Sequence, residues 1–346
     1  MAQGISKITV KGFKSLYDET SVEIRPLTIL AGANSSGKSS IMQPLLLMKQ
    51  TLESTYTPRV FLLNGLNVRY TDPRQFFLID SPESELEVSL GVDNVGDIVS
   101  SYSIGDHKSI KIEKTKFIRS HNYIAPNYAP KRPDVFILSR GMQHNDIAQQ
   151  IPDEMELFKK DIEEIANNRG VFYGVGVYFY FLNISMLHEN GSTAINTNPF
   201  EWEFYPIRKF NQFIQDIIHV PGLRDNPERS YPIAQIQGNF VGTFDNYFAS
   251  VINEWTEQEW KNNSPIIRLV RNMKDLRLSS GLKTHIQNNE ISIEVPHPRS
   301  KSGVNIADVG LGVSQVLPVL VALLVAKEGQ LVYLEQPELH LHPRAQ

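Results

Sequence analysis

The chain has 346 residues, 41% hydrophobic and 21% charged, the composition of an ordinary globular protein long enough for two or three domain-sized units. Its net charge of −4 supplies no general basic field, so any nucleic-acid contact has to rest on a local patch. The absence of cysteine excludes disulfides, thiol chemistry and cysteine-ligated zinc, and is compatible with a cytoplasmic setting.

The first ten residues, Met1 to Val10, lack the basic start and apolar core of an export signal, so none is expected. Residues 5 to 30 read as short alternating strands, with Ile5, Ile8 and Val10, then Val22 and Ile24, then the apolar run Leu27 to Leu30. Gly12-Phe13-Lys14-Ser15 reads as a turn between two of them, where Lys14 either approaches a bound anion or stands solvated. Next comes Gly32-Ala33-Asn34-Ser35-Ser36-Gly37-Lys38-Ser39, which fits G-x-x-x-x-G-K-[ST]. A helix pattern follows, with Ile41, Leu45, Leu46, Leu47 and Leu52 apolar and Pro44 close enough to the start to be tolerated.

Strand, loop and helix form the context that this motif requires, and the chemistry explains the residue types. Glycines at 32 and 37 let backbone NH groups close around phosphate oxygens, and a helix N-terminus favours an anion. Lys38 brings a point charge to the outer phosphates, and Ser39 offers a hydroxyl to Mg²⁺. Gly32, Asn34, Ser35, Ser36, Gly37, Lys38, Ser39 and Ser40 are therefore predicted contacts of ATP and its Mg²⁺. The plainer alternative is a chance glycine turn before a core helix.

From Glu83 to Ile118 the alternation of Leu86, Val88 and Leu90, and later Ile110 and Ile112, predicts an antiparallel sheet with one wet face. Residues 119 to 150 are polar and broken by prolines, hence mostly loop, and Glu154 to Asn168 carries an acidic helix pattern. Val171 to Leu187 is apolar but interrupted by Gly174, Gly176 and Asn183; it is too short and polar for a membrane span and reads as buried strands. A helix is expected from about Pro206 to Pro221-Gly222, then a proline-framed loop in which Arg224 and Arg229 suit either anion recognition or ion pairs with Asp225 or Glu228. Thr243 to Leu278 looks helical with a break at Pro265; Arg268, Arg271, Lys274 and Arg277 recur every third residue, as a solvated face or a nucleic-acid contact.

Near the C-terminus, Val309-Gly310-Leu311-Gly312-Val313-Ser314-Gln315 opens an apolar helix expected from about Val316 to Ala326. Gly312 and Ser314 there would present a second anion site. Leu331 to Leu334 reads as a buried strand ending in Glu335-Gln336-Pro337-Glu338, which places a carboxylate where it can hold Mg²⁺.

Taken in this order, and with Glu338-Leu339-His340-Leu341-His342-Pro343, these motifs resemble ATP-binding-cassette-type ATPases of the SMC, RecF and OLD branch, and most closely the prokaryotic "AAA family" ATPases of phage-defence loci. The resemblance covers about residues 5 to 50 and 220 to 346. It implies an α/β head with a mixed central sheet, an antiparallel β subdomain and a large α/β insert. The expected division is 1–80 and 220–346 for the two halves of the head and 81–219 for the insert. It further implies two heads closing on two ATP molecules, each met by Ser314 of the other head, with Lys14 and Ser15 near the nucleotide. Gln75 is the candidate for a glutamine that contacts Mg²⁺ and water, and His340 and His342 would fall in the loop facing the partner head. The resemblance also leads one to expect further strands and a switch histidine after Gln346.

One departure bears on catalysis. Where most cassettes carry Asp-Glu, this chain has Glu335-Gln336; Glu335 can still serve Mg²⁺, but Gln336 cannot take a proton from water. Lys38, Glu335 and Gln336 are the expected catalytic set, with slow or partner-dependent hydrolysis. The implied activity is an oligomeric ATPase acting on DNA or on a nuclease of the HNH or Toprim kind, in antiviral defence. The alternative is a nucleotide sensor that restrains a toxic effector.

Overall fold

The alternation of apolar and polar residues in the first 140 positions resolves into one antiparallel sheet of six strands, in the order β2-β1-β3-β4-β5-β6. These are β1 (Ile5–Lys11), β2 (Thr20–Glu23), β3 (Leu86–Val92), β4 (Gly96–Ile104), β5 (Ile110–Arg119) and β6 (Val135–Ser139). Ile8, Val10, Val88, Leu90, Ile98, Tyr102 and Phe117 are buried, the inward set of a period-two pattern. The computed structural model describes residues 3–56, 60–77, 85–105, 109–119, 135–140, 142, 171–178, 181–188, 193–195, 207–224, 226–236, 238–257, 264–297 and 300–339. Two compact units, Met1–Ile214 and Gln215–Gln346, divide the chain.

In the first unit, α1 (Gln43–Leu52) follows the glycine loop, with Pro44 in its first turn where a missing amide costs nothing. Leu45, Leu46, Leu47 and Met48 are all buried, so apolar burial wraps the helix rather than marking one stripe. Polar anchors accompany it: Val68 N donates to Gln50 Oε1 (2.9 Å), Leu62 N to Thr51 Oγ1 (2.9 Å), and Lys49 Nζ to Glu53 Oε1 (2.5 Å). The adjoining Phe61 ring packs on Tyr102 of β4 at 5.0 Å, which joins this segment to the sheet. β7 (Val171–Tyr178), β8 (Phe181–His188) and β9 (Thr193–Ile195) form a separate antiparallel sheet, so the stretch around Val171 to Leu187 is strand as expected. α2 (Ile207–Gln215) ends the unit.

The second unit holds a parallel pair, β10 (Ile218–Val220) with β15 (Val332–Leu334), in the register Ile218↔Val332 to Val220↔Leu334. It also holds an antiparallel sheet in which β13 (Glu290–His297) lies between β11 (Tyr231–Pro232) and β12 (Lys283–Gln287), and β14 (Ser300–Asn305) pairs β13 as well. α3 (Phe248–Glu257), α4 (Pro265–Asp275) and α5 (Leu311–Val325) share one apolar core with these strands, built on residues such as Val220, Phe244, Ile252, Leu269 and Val321. The fold is mixed α/β. No helix among the described residues is long and apolar enough to cross a membrane.

Four local expectations change and one holds. Leu27 to Leu30 joins no strand ladder among the described residues, and Leu27 and Ile29 are 78% and 76% exposed. Val135 to Ser139 is strand rather than loop, since its Val-Phe-Ile-Leu run adds to the edge at β5 despite the surrounding prolines. The helix expected to reach Pro221 stops at Gln215, giving way to β10. The break expected at Pro265 is present, with the proline in the first turn of α4. The last helix starts at Leu311, about five residues earlier than expected, so Gly312, Ser314 and Gln315 lie inside its first turns. The acidic pattern from Glu154 to Asn168, Asp225, and the pair His340 and His342 lie outside the described residues.

Candidate functional site

The glycine loop is exposed from Gly32 to Ser36, and its lysine is folded back on it: Lys38 Nζ donates to Gly32 O (2.8 Å) and Ala33 O (2.5 Å). Gly37 has φ +90°, a region that a side chain resists, and a Cβ there would lie 2.9 Å from Leu16 Cδ2 and 3.0 Å from Ser15 Oγ. A Cβ on Gly32 would lie 2.8 Å from Ser36 Oγ. A side chain is thus resisted at Gly37 by its backbone conformation and by the turn after β1, and at Gly32 by Ser36 of the same loop. Ser35, at φ +63°, turns the backbone between them. Gln43 N donates to Ser39 O (3.1 Å) and Ile41 N to Gly37 O (3.3 Å), so residues 38 to 42 coil into α1 without being regular helix. Ser39 is exposed and Ser40 buried.

The turn after β1 lies against this loop through Ser15 and Leu16. Lys14, at φ +51°, donates to Gln43 Oε1 (2.8 Å), and its ammonium stands 4.7 Å from the centre of the Tyr70 ring. Tyr70 OH donates to the same Gln43 oxygen (2.9 Å). Burial lowers the Lys14 pKa and raises that of Tyr70. Gln43 was not singled out from sequence, yet it joins Lys14 to the start of α1; a polar residue beside the proline of an otherwise apolar helix start was the available signal. Gln75 is engaged locally. Its Oε1 accepts from Thr71 N (2.7 Å) and Asp72 N (3.3 Å), and its Nε2 donates to Thr71 Oγ1 (3.1 Å), capping its own turn with Asp72.

In the second unit, Glu335 follows β15. Its N–H donates to Val220 O (3.0 Å), its Oε2 accepts from Gly222 N–H (3.4 Å), and its Oε1 is 3.9 Å from Nε2 of buried His219. His219 stacks on Tyr333 at 5.5 Å. A histidine between Ile218 and Val220 is a polar group in an apolar strand, and its nearness to the acid comes from the pairing of β10 with β15. Gln336 sits at φ +43° and is exposed. β15 itself is half-buried rather than buried. Ser314 is 6% exposed, and its hydroxyl donates to Leu311 O (3.1 Å) within α5, so its Oγ is engaged by its own helix. Gly312 is half-buried in the turn before it. Arg229 makes a two-pronged ion pair with Asp308 (3.0 and 2.7 Å), whereas the sequence had offered Asp225 or Glu228. Each unit therefore assembles its own part of the predicted set: Lys14, Ser15 and the glycine loop in one, Glu335 and Gln336 beside the Ser314 helix in the other.

The family described as "AAA domain, putative AbiEii toxin, Type IV TA system" matches residues 27–346. The chain belongs to this family. It is a P-loop ATPase domain of the AAA type, and the glycine loop at 32–39 lies within the matched span. No curated protein matches the chain. In this AAA domain the residues present fit a nucleotide: glycines at 32 and 37 let the loop turn tightly against its neighbours, and Lys38, bonded to the loop's own carbonyls, has bonds to exchange for phosphate.

Proposed function

We propose that this AAA-domain protein binds ATP with Mg²⁺ and hydrolyses it slowly, and that nucleotide-dependent association of its heads controls a nuclease or acts on DNA in antiphage defence. The observation that carries the reading is the glycine loop itself, with Gly37 at φ +90° and Lys38 Nζ curled onto the carbonyls of Gly32 and Ala33. Lys38 supplies the positive charge, the NH groups of Asn34 to Ser39 bind phosphate oxygens, and Lys14 and Ser15 border the loop. Ser39 and Glu335 are the residues that would hold Mg²⁺, which shields phosphate charge when bound. Gln75 could join them only by giving up its bonds to Thr71 and Asp72. Gln336 orients a water without accepting its proton, which makes turnover slow. Gly312 and Ser314 serve the nucleotide of a second copy, with Ser314 exchanging its bond to Leu311 for the ligand.

Calorimetric titration of ATP and Mg²⁺ into the wild type, Lys38→Ala and Glu335→Gln tests this. Binding is expected to be strongly weakened in the lysine variant and to lose its Mg²⁺ dependence in the glutamine variant; equal affinity in all three would refute it. Gln336→Glu should raise phosphate release by roughly tenfold or more, and a lower rate would count against the role given to Gln336.

One observation favours a second reading. Gln336 beside an intact Lys38, Ser39 and Glu335 suits a sensor that binds ATP, scarcely turns it over, and restrains a toxic partner, as the toxin–antitoxin name of the family suggests. Steady-state turnover with and without DNA separates the two.

A further inference from the structure

Arg224 lies in the loop after β10 and is 8% exposed, and four of its five N–H donors are engaged by acceptors of the second unit. Nε donates to Gln315 Oε1 (3.2 Å), Nη1 to Pro221 O (3.1 Å) and Glu335 O (3.4 Å), and Nη2 to Gln336 O (3.2 Å). Those acceptors belong to its own loop, to α5 and to the turn after β15. Burial lowers the Arg224 pKa, opposed by the Asp245 and Glu338 carboxylates. A guanidinium bound in this way braces backbone and is not offered to an anion.

The braced element is unusual. Gln336 holds a left-handed conformation at φ +43°, costly for any residue with a Cβ, and its carbonyl receives both Arg224 and the Leu339 amide (3.1 Å). Gly222 completes the enclosure, since a Cβ there would lie 3.1 Å from Gln336 Oε1 and 3.4 Å from Glu335 Cβ. On the other side, Gln315 follows Ser314. Pro318 brings no amide to the Ser314 carbonyl, so the first turn of α5 is tied to the rest of its helix by one bond fewer.

We propose that Arg224 is a positioning residue for turnover: it holds the Glu335–Gln336 turn in its left-handed form and ties that turn to the start of α5, so that the acid loop and the Ser314 turn move as one body. The proposal rests on the assignment of Glu335 and Gln336 to hydrolysis made above. It predicts that loss of the brace lowers the rate while sparing nucleotide affinity.

The test uses the full chain as Arg224→Gln, Arg224→Lys, Gln315→Leu and the Arg224→Gln/Gln315→Leu pair. Phosphate release, affinity for a fluorescent ATP analogue with Mg²⁺, thermal midpoint and amide hydrogen exchange are measured for each. Arg224→Gln should keep affinity within about twofold and lose about tenfold or more in kcat, and Arg224→Lys should recover part of that loss. The double variant should be no slower than Arg224→Gln alone, because both changes cut the same link. Exchange at the Leu339 amide should rise about tenfold in Arg224→Gln. Parallel falls in affinity, rate and midpoint, or unchanged rate and exchange, would overturn the proposal. Should Arg224→Gln not fold, Arg224→Lys and Gln315→Leu carry the same comparisons. If the wild type released no phosphate, the hydrolytic assignment would fail on its own, and the Leu339 exchange would still decide whether Arg224 holds the turn.

Discussion

Between Gly32 and Ser36 the backbone is exposed, and Lys38 bonds to carbonyls of its own loop, whereas the Glu335–Gln336 turn is held from outside by Val220, Gly222 and Arg224. The first arrangement can exchange one set of lysine bonds for another when an anion arrives. The second keeps its shape before any ligand is present, at the expense of burying a guanidinium and straining one residue. What steadies the glycine loop is instead the helix behind it, fastened by Lys49, Gln50 and Thr51. On the proposed reading, a loop that adapts thus stands on a fastened helix, while the loop that would aim a carboxylate is itself held.

The largest effect should come from that helix. Glu53→Ala leaves the fully buried Lys49 without its carboxylate and should lower stability by about 3–5 kcal/mol in urea unfolding; a change under about 1 kcal/mol would mean that α1 is not the rigid partner in this comparison. Lys38→Ala should weaken ATP binding by about 2–3 kcal/mol, roughly 30- to 150-fold, with no shift in the unfolding midpoint. A midpoint that fell with it would show the lysine holding the loop together rather than waiting for a ligand. Gly37→Ala forces a Cβ into φ +90° against Leu16 and should cost about 1–2 kcal/mol in stability and weaken nucleotide binding. The smallest effect is expected from Lys14→Met. Burial lowers the Lys14 pKa, so its charged form carries a penalty below that value which is relieved as pH rises toward the ordinary 10.5. The variant should therefore unfold at a slightly higher temperature near neutral pH, with the gap closing in alkali, and a lower midpoint would show the bonds to Gln43 and Tyr70 outweighing that penalty.

Much of this was readable in the residue order. The alternation around Leu86 to Leu90 announced the antiparallel sheet, and the glycine motif with Pro44 and its leucines announced loop and helix, because period and turn chemistry act over a few residues. Arg224 shows where such reading ends. Its loop position suggested a hand for anions, but its acceptors lie at Gln315, Glu335 and Gln336, about a hundred residues away in the chain, and no local pattern encodes them. Leu27 to Leu30 shows the converse, a strand by composition that joins no ladder among the described residues, since a strand needs a partner as well as a pattern.

By itself the sequence determined which residue types are on offer for phosphate and metal: glycines where backbone must crowd, a lysine, a serine and an acid after a strand, within a span that the AAA family covers. Only the tertiary structure decided how those groups are held. Lys38 turns onto its own loop and Ser314 onto its own helix, while Arg224 turns inward to fasten the acid. The reason is that a side chain's chemistry is set by its type, but its partners are set by which distant backbone carbonyls the fold brings within about 3 Å of it.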